Sequence, residues 1–512
     1  MAKPHYILSI DQGTSSTRSI LVNRSGKVLQ SETQTISQIY PHAGWVEQDP
    51  TEIFESCLVV IEKLLNSTNT SPDQIAAIGI TNQRETSIVW NRKTGKPVAN
   101  AIVWQCRRTS DLCEKLKSRG LEEIFNERTG LPIDAYFSAT KIRWILDKIP
   151  EGQTMAESGD LIFGTIDSWI LWNLTNGSIH ATDVTNASRT MLFNINRLKW
   201  DVDLIAELDL PLSMFAKVKQ SNEIFGYANK GLFKGSNIPI AGIAGDQHAA
   251  LFGQTCFQNN MTKNTYGTGS FILMNTGHQR IKSTNGLITT PAWSLNNTVT
   301  YALEGSIFST GSTVQWLRDG LEIINNSSET ETLATSIQGT NGVYLIPAFT
   351  GLGAPYWNMH ARGAIIGLTA NTNKSHIARA ALESTAYQTR AIIDIMIKDT
   401  GTKVPTLRVD GGGSVNNFLM QFQSDILGIP VERSSYKVGQ DTYINETTAV
   451  GAAYIAGLAI GFWKNLDNIE SIKQKSTPYD IFEPHLSEDA KETLYSGWEK
   501  AVKSSLVQTT IS

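Results

Sequence analysis

Apolar runs of strand length alternate with amphipathic stretches of helix length along this chain, the pattern of an α/β protein. Strands are predicted over Tyr6–Ile10, Ile75–Ile80, Ile88–Trp90, Ala101–Trp104 and Leu161–Phe163. Further along they are predicted over Ile238–Ile243, Met261–Thr265, Phe271–Met274, Val343–Ile346 and Leu407–Val409. One helix start is explicit. Asp49 can cap, Pro50 suits the first helical position and Glu52 the third, a capping-box layout, and Ile53, Phe54, Leu58 and Ile61 follow at helical spacing. A long helix is predicted from about Ser375 to Lys398, and another opens at Asn416 and Asn417 and runs to about Leu427. The run Ala449–Trp463, rich in Gly and Ala, is too short to cross a bilayer and suits a buried helix. The polar stretch 434–445 reads as an exposed loop.

Two strands end in an acid: Ile7–Ile10 runs into Asp11, and Ala241–Gly245 runs into Asp246. This repetition suggests a duplicated plan of two α/β domains, 1–253 and 254–512, with the boundary near Gly253. The length of 512 residues accommodates two large domains or about three smaller ones.

Composition narrows the class only a little. The chain is 41% hydrophobic and 18% charged with a formal net charge of −4, and it holds no basic block, which argues against nucleic acid as a partner. The N-terminal residues lack a signal-peptide layout, so a soluble, cytoplasmic protein is expected. Four cysteines, Cys57, Cys106, Cys113 and Cys256, show no CxxC spacing; they read as buried or unreactive thiols in a reducing compartment rather than as a zinc site.

The candidate chemistry sits in turns. Asp11-Gln12-Gly13-Thr14-Ser15-Ser16-Thr17-Arg18 follows a strand and is rich in N–H and hydroxyl donors, as is Tyr266-Gly267-Thr268-Gly269-Ser270. Such turns wrap phosphate oxygens, and one in each half suggests a triphosphate gripped from both sides of a cleft. Thr14, Ser15 and Ser16 supply donors, Arg18 supplies a fork, and Asp11 lies where a carboxylate can order Mg²⁺ through water. Asp410-Gly411-Gly412-Gly413-Ser414 forms a third glycine-rich turn at a strand end; it is either a flexible turn or a place where a flat ligand nears the backbone. No GxxxxGK[ST] and no HRD…DFG set occurs, which excludes P-loop and protein-kinase folds.

Asp246-Gln247-His248 lies at a strand tip, where a carboxylate either caps the next helix or faces a cleft. Arg84-Glu85, after the strand Ile75–Ile80, is either a solvated pair or a clamp for vicinal hydroxyls. Trp104 and Phe271 are either core residues or apolar walls of such a clamp, and Tyr136 can add one hydrogen bond.

Together these pieces resemble the FGGY carbohydrate kinases, a branch of the actin-like ATPase superfamily, over nearly the whole chain. One family signature stands as Tyr136-Phe-Ser-Ala-Thr-Lys141-Ile-Arg-Trp144-Ile-Leu-Asp147. A second stands as Gly363-Ala-Ile-Ile-Gly367-Leu368, then His376-Ile-Ala-Arg-Ala-Ala-Leu-Glu383. Gly79–Glu85, Asn100–Arg108 and Thr185–Phe193 look like the branch that phosphorylates glycerol. The resemblance implies two actin-like (ribonuclease H-like) ATPase domains flanking a deep catalytic cleft, and ATP-dependent phosphorylation of glycerol to sn-glycerol 3-phosphate with domain closure over the substrates. By position it implies that Arg84, Glu85, Tyr136, Asp246 and Gln247 hold glycerol between Trp104 and Phe271, with Asp246 as general base. Thr14, Ser15, Ser16, Arg18, Thr268, Gly311, Gln315, Gly412 and Asn416 would hold ATP or ADP, and Asp11 and Asp246 would face Mg²⁺. A homodimer or homotetramer without membrane insertion is implied by the same analogy. Two departures stand out. Where many bacterial members carry an arginine used for inhibition by fructose 1,6-bisphosphate, this chain has Asn237, and its 434–445 stretch looks longer than usual.

Overall fold

The computed structural model describes residues 4–358, 360–434, 436–438, 442–444, 446–476 and 479–508. Two twisted sheets organise the chain. In the six-stranded sheet, Tyr6–Gln12 pairs antiparallel with Ser16–Asn23 and parallel with Ile75–Asn82, and Pro239–Gly245 joins the far side of Ile75–Asn82 in parallel. In the seven-stranded sheet, Thr262–Tyr266 pairs antiparallel with Ser270–Gly277 and parallel with Leu407–Asp410. Both sheets therefore repeat one motif: a tight hairpin whose first strand also borders a parallel strand delivered by a crossover. The tips of those parallel strands carry the polar residues of the cleft, as open α/β sheets require. The parallel strands are buried on both faces and read as continuous apolar runs, which is why they were legible from hydrophobicity alone.

The helix Thr447–Ala459, late in the chain, lies against the first sheet and against the helix Asp246–Gly253. Glycines permit that approach. A Cβ on Gly79 would strike the Ala452 carbonyl, and one on Gly451 would strike the Ala249 carbonyl.

Several local expectations change. Asp49 caps Pro50–Ser67 by accepting from the Thr51 N–H at 2.8 Å, but the capping box does not form. The Glu52 carboxylate instead accepts from the backbone N–H of Ser37 at 2.9 Å and its Oγ at 3.0 Å, a tertiary partner that outcompetes the local one. Asn416 caps the helix Asn417–Leu427 rather than opening it, its side chain accepting from the Leu419 N–H. The long helix spans Lys374–Thr400. The predicted helix up to Trp463 stops at Ala459, and Gly461, at φ +70°, turns the chain so that Trp463 is buried beyond the helix. The strand from Ala101 ends at Ile102; Val103 still donates to the Val46 carbonyl in the same register, and Trp104 stands in a turn. Within 434–445 the expected loop is replaced by two short antiparallel strands, Tyr436–Val438 and Thr442–Ile444; residues 435, 439–441 and 445 lie outside the described residues. All four cysteines are buried and free of disulfides, and burial pushes the Cys57 and Cys113 thiols up to about 12. Among the described residues no helix is long and apolar enough to cross a membrane.

Candidate active site

Each hairpin turn is closed by a glycine N–H. Gly13 N donates to the Ser16 carbonyl at 2.9 Å, and Gly267 N donates to the Gly269 carbonyl at 2.8 Å. A buried group of carboxamides ties the first turn to the end of Ile75–Asn82. Gln83 Nε2 donates to Gln12 Oε1 at 3.1 Å and to Gln48 Oε1 at 2.8 Å, and Gln48 Nε2 donates to the Thr14 carbonyl at 2.5 Å. Trp104 adds a bond from its indole N–H to Thr14 Oγ1 at 2.9 Å.

Between the turns lies a cavity of about 160 Å³, lined by Thr14, Ser15, Gln83, Arg84, Glu85, Trp104, Tyr136, Asp246, Gln247, Thr265, Gly267, Thr268, Gly269 and Phe271. Pockets for drug-sized ligands run to about 300–1,000 Å³, so this one suits a much smaller, polar molecule. Trp104 meets Tyr136 and Phe271 edge-to-face, with centroids 5.6 and 6.0 Å apart, and these rings form its apolar side.

A second cavity, of about 400 Å³, opens beyond the first and includes Gly311, Gln315, Gly412 and Asn416 in its lining. Gly267 and Thr268 line both. The second hairpin turn is thus the shared wall of a small polar chamber and a larger one. Gly311 N donates to the Gly267 carbonyl at 3.0 Å, and a Cβ at Gly311 would collide with that oxygen, so only glycine lets the helix Gly311–Asp319 start there.

Charge is concentrated at the small chamber. Arg84 Nη1 and Nη2 fork onto the two carboxylate oxygens of Glu304 at 2.6 and 2.8 Å, and Nη2 also donates to the Tyr136 hydroxyl at 3.2 Å. Its Nε lies 3.3 Å from Asp246 Oδ1 and 3.6 Å from Glu85 Oε1. Gln247 Nε2 donates to Asp246 Oδ2 at 3.2 Å, and Lys263 Nζ donates to Gln247 Oε1 at 2.6 Å. Burial raises the Asp246 carboxyl above its usual range, against the opposing pull of Arg84. Burial likewise brings Lys263 down to about 8. Burial alone would raise Glu304, but the guanidiniums of Arg189 and Arg84 override it and hold that carboxyl well below the carboxylate range.

Asp11, in the strand Tyr6–Gln12 that leads into the first turn, lines neither cavity. Burial raises it to about 7, Arg18 opposes the rise, and the charges of Glu446 and Asp246 add to it. An under-compensated carboxylate close enough to Asp246 to feel its charge is a hard-oxygen donor set. It suits a small divalent cation whose remaining ligands are phosphate oxygens and water. Among the described residues no cluster of three or more His, Cys, Asp or Glu forms a closed metal cage.

Two of the residues expected to contact phosphate lie outside the linings of both cavities. Arg18 lines neither cavity: its Nη1 is held by Glu446 at 2.7 Å and its Nε donates to Thr33 at 3.0 Å. Ser16 lines neither cavity and has become the first residue of the strand Ser16–Asn23. Asp246 is the first residue of its helix, with Gly245 at the cap position. Sequence reasoning passed over Gln83, Glu304, Arg189 and Lys263. The available signal was a lone acid, Glu304, inside the apolar run of Thr298–Ile307, and a lone base, Lys263, inside Thr262–Tyr266.

Known proteins align with this chain along its length. Residues 6–253 match the N-terminal domain of the FGGY family of carbohydrate kinases, and residues 262–460 match its C-terminal domain. Glycerol kinase 2 of Thermotoga maritima is 56% identical over 501 residues, 98% of this chain and 99% of that protein. The glycerol kinase of Alkaliphilus oremlandii is 55% identical over 501 residues, 98% of this chain and 97% of its own length. Among solved structures, Plasmodium falciparum glycerol kinase with ADP superposes with a TM-score of 0.88 at 37% identity, covering 99% of both chains. Gluconate kinase from Lactobacillus acidophilus, with a TM-score of 0.85 at 22% identity and 98% of both chains covered, shares the fold. Matched by both family domains and by relatives more than half identical over nearly its full length, this chain belongs to the FGGY family of carbohydrate kinases.

Proposed function

We propose that this protein transfers the γ-phosphoryl group of ATP to a terminal hydroxyl of glycerol, giving sn-glycerol 3-phosphate and ADP. The observation that carries the reading is the wall shared by two cavities. A small chamber holding Arg84, Glu85, Tyr136 and Asp246 meets a larger one at Gly267 and Thr268. A polyol in the first and a nucleotide in the second would bring a hydroxyl and a terminal phosphate together at that turn.

In this reading Arg84 donates to, and Glu85 accepts from, adjacent hydroxyls of glycerol, with Tyr136 and Gln247 completing the polar contacts. Trp104 and Phe271 cover the carbon edge. Asp246 orients the attacking hydroxyl and takes its proton late, since a loose transition state is governed more by position and charge than by proton abstraction. Thr14, Ser15 and Thr268 present donors to the transferring phosphoryl oxygens; Gly311, Gln315, Gly412 and Asn416 hold the rest of the nucleotide. A magnesium ion bound with the nucleotide, near Asp11 and Asp246, would neutralise phosphate charge. Closure of the two lobes over both substrates limits transfer to water.

The division at Gly253, with residues 1–253 bearing polyol and phosphate contacts and 254–512 the nucleotide, belongs to the same reading. So does a cytoplasmic setting, which four buried, disulfide-free thiols favour. By family analogy the assembly is a homodimer or homotetramer, which light scattering on the eluting protein would measure.

One assay tests the reaction. ADP release is measured with glycerol, xylulose, ribulose, gluconate or no acceptor. Glycerol is expected to give the highest kcat/KM, with little release in its absence. Equal release without any acceptor, or a pentulose preferred over glycerol, would overturn the assignment.

A further inference from the structure

Arg84 and Glu85 belong to a closed ring of four charges. Arg84 forks onto Glu304 at 2.6 and 2.8 Å, and Arg189 reaches the same two oxygens of Glu304 at 3.3 and 3.1 Å. Arg189 Nε then donates to Glu85 Oε1 at 2.7 Å, and that oxygen lies 3.6 Å from Arg84 Nε. Two cations alternate with two anions, so the ring carries no net charge. All four side chains are at most 2% exposed. Tyr136 and Phe137 cover the Arg189 guanidinium at 5.6 and 5.4 Å from their ring centres. Arg84 and Glu85 line the small chamber, whereas Arg189 and Glu304 stand behind them and line neither cavity.

A buried ion network can serve packing alone, and replacing one by apolar groups is often neutral for stability. Here the geometry does more than neutralise. Glu304 occupies both terminal nitrogens of Arg84, which leaves Nε turned to Asp246. Arg189 holds Glu85 Oε1, which anchors one oxygen of that carboxylate beside Arg84. The orientation of a guanidinium and a carboxylate decides which pair of adjacent hydroxyls they can satisfy, and small misplacements are costly.

We propose that Arg189 and Glu304 are positioning residues of the polyol site, which lock Arg84 and Glu85 in the one arrangement that reads vicinal hydroxyls. Glu304 comes from the second sheet, in Thr298–Ile307, so each half of the chain contributes to substrate selection in the same chamber. This inference rests on the polyol reading of the chamber.

The test uses the full chain and two variants: the double variant Arg189→Met/Glu304→Met, which removes one cation and one anion together, and Arg189→Lys, which keeps the charge but loses the fork. Thermal melting establishes that each is folded. KM is then measured separately for ATP and for whichever acceptor the wild-type chain phosphorylates, so a wild type that ignores glycerol refutes the proposed substrate without touching the ring. Both variants are expected to raise the acceptor KM about tenfold or more while the KM for ATP stays within about twofold. An acceptor KM within about twofold of wild type in the folded double variant, or parallel rises in both KM values, would overturn the proposal. If the double variant does not fold, Arg189→Lys decides by the same two criteria.

Discussion

Arg84 Nε lies 3.3 Å from Asp246 Oδ1, while the terminal nitrogens of the same guanidinium are taken up by Glu304. Arg84 therefore offers Asp246 one nitrogen rather than a bidentate fork. The carboxylate keeps oxygen capacity for a substrate hydroxyl, and burial outweighs the guanidinium in setting its protonation.

Replacing Asp246 by Asn removes the proton acceptor and preserves the shape. Turnover is expected to fall by at least about 10²–10⁴, the usual worth of a positioned base. The wild type should also lose kcat/KM on acidification, with the limb above the ordinary aspartate value of about 4, because the working form is deprotonated and burial favours the protonated one. Near-normal turnover of Asp246→Asn, measured by steady-state ADP release, would remove Asp246 from the mechanism.

Asp11 links stability to pH in a definite direction. Its carboxyl is raised to about 7 from 3.8, so folding favours the protonated form. That stabilisation is complete below about pH 4 and is lost as the pH rises through about 7. Asp11→Asn mimics the protonated group. It is expected to raise the melting temperature by about 2 °C or more at pH 8 and to leave it nearly unchanged at pH 4, while lowering activity. Calorimetry at both pH values checks this; a variant less stable at pH 8 would contradict the burial argument.

Asn237 and Lys234 are both exposed, at a turn in which Lys234 takes φ +48°. An asparagine at this position lacks the bidentate phosphate donor of arginine, worth about 1.5–3 kcal/mol. Titration of fructose 1,6-bisphosphate into the assay is expected to leave activity nearly unchanged. Strong inhibition would mean that Lys234 or another group supplies the lost contact.

Gly451 brings the helix Thr447–Ala459 against the helix Asp246–Gly253, where a side chain would strike the Ala249 carbonyl. Gly451→Val is expected to cost about 1–3 kcal/mol or more by overpacking. Each kcal/mol lowers the melting temperature of a domain of this size by about 2–4 °C. Gly339→Ala, where a Cβ meets open space, serves as the control and should melt with the wild type.

The alternation of apolar strands and amphipathic helices, the two glycine-rich turns and the acids closing Ile7–Ile10 and Ala241–Gly245 were readable from the linear chain. Such features are written in spacings of two to four residues, and a turn's need for glycine is local. The strand ends and the capping of Pro50–Ser67 were only partly readable. Glu52 found its partner in Ser37, which no local pattern announces. Tertiary structure alone decided that Arg18 turns to Glu446, 428 residues away, and that Glu304 joins Arg84 across 220 residues and Arg189 across 115. Buried charges must find opposite charges wherever the fold brings them, and that choice is made by the packing of two sheets rather than by any neighbour in the sequence.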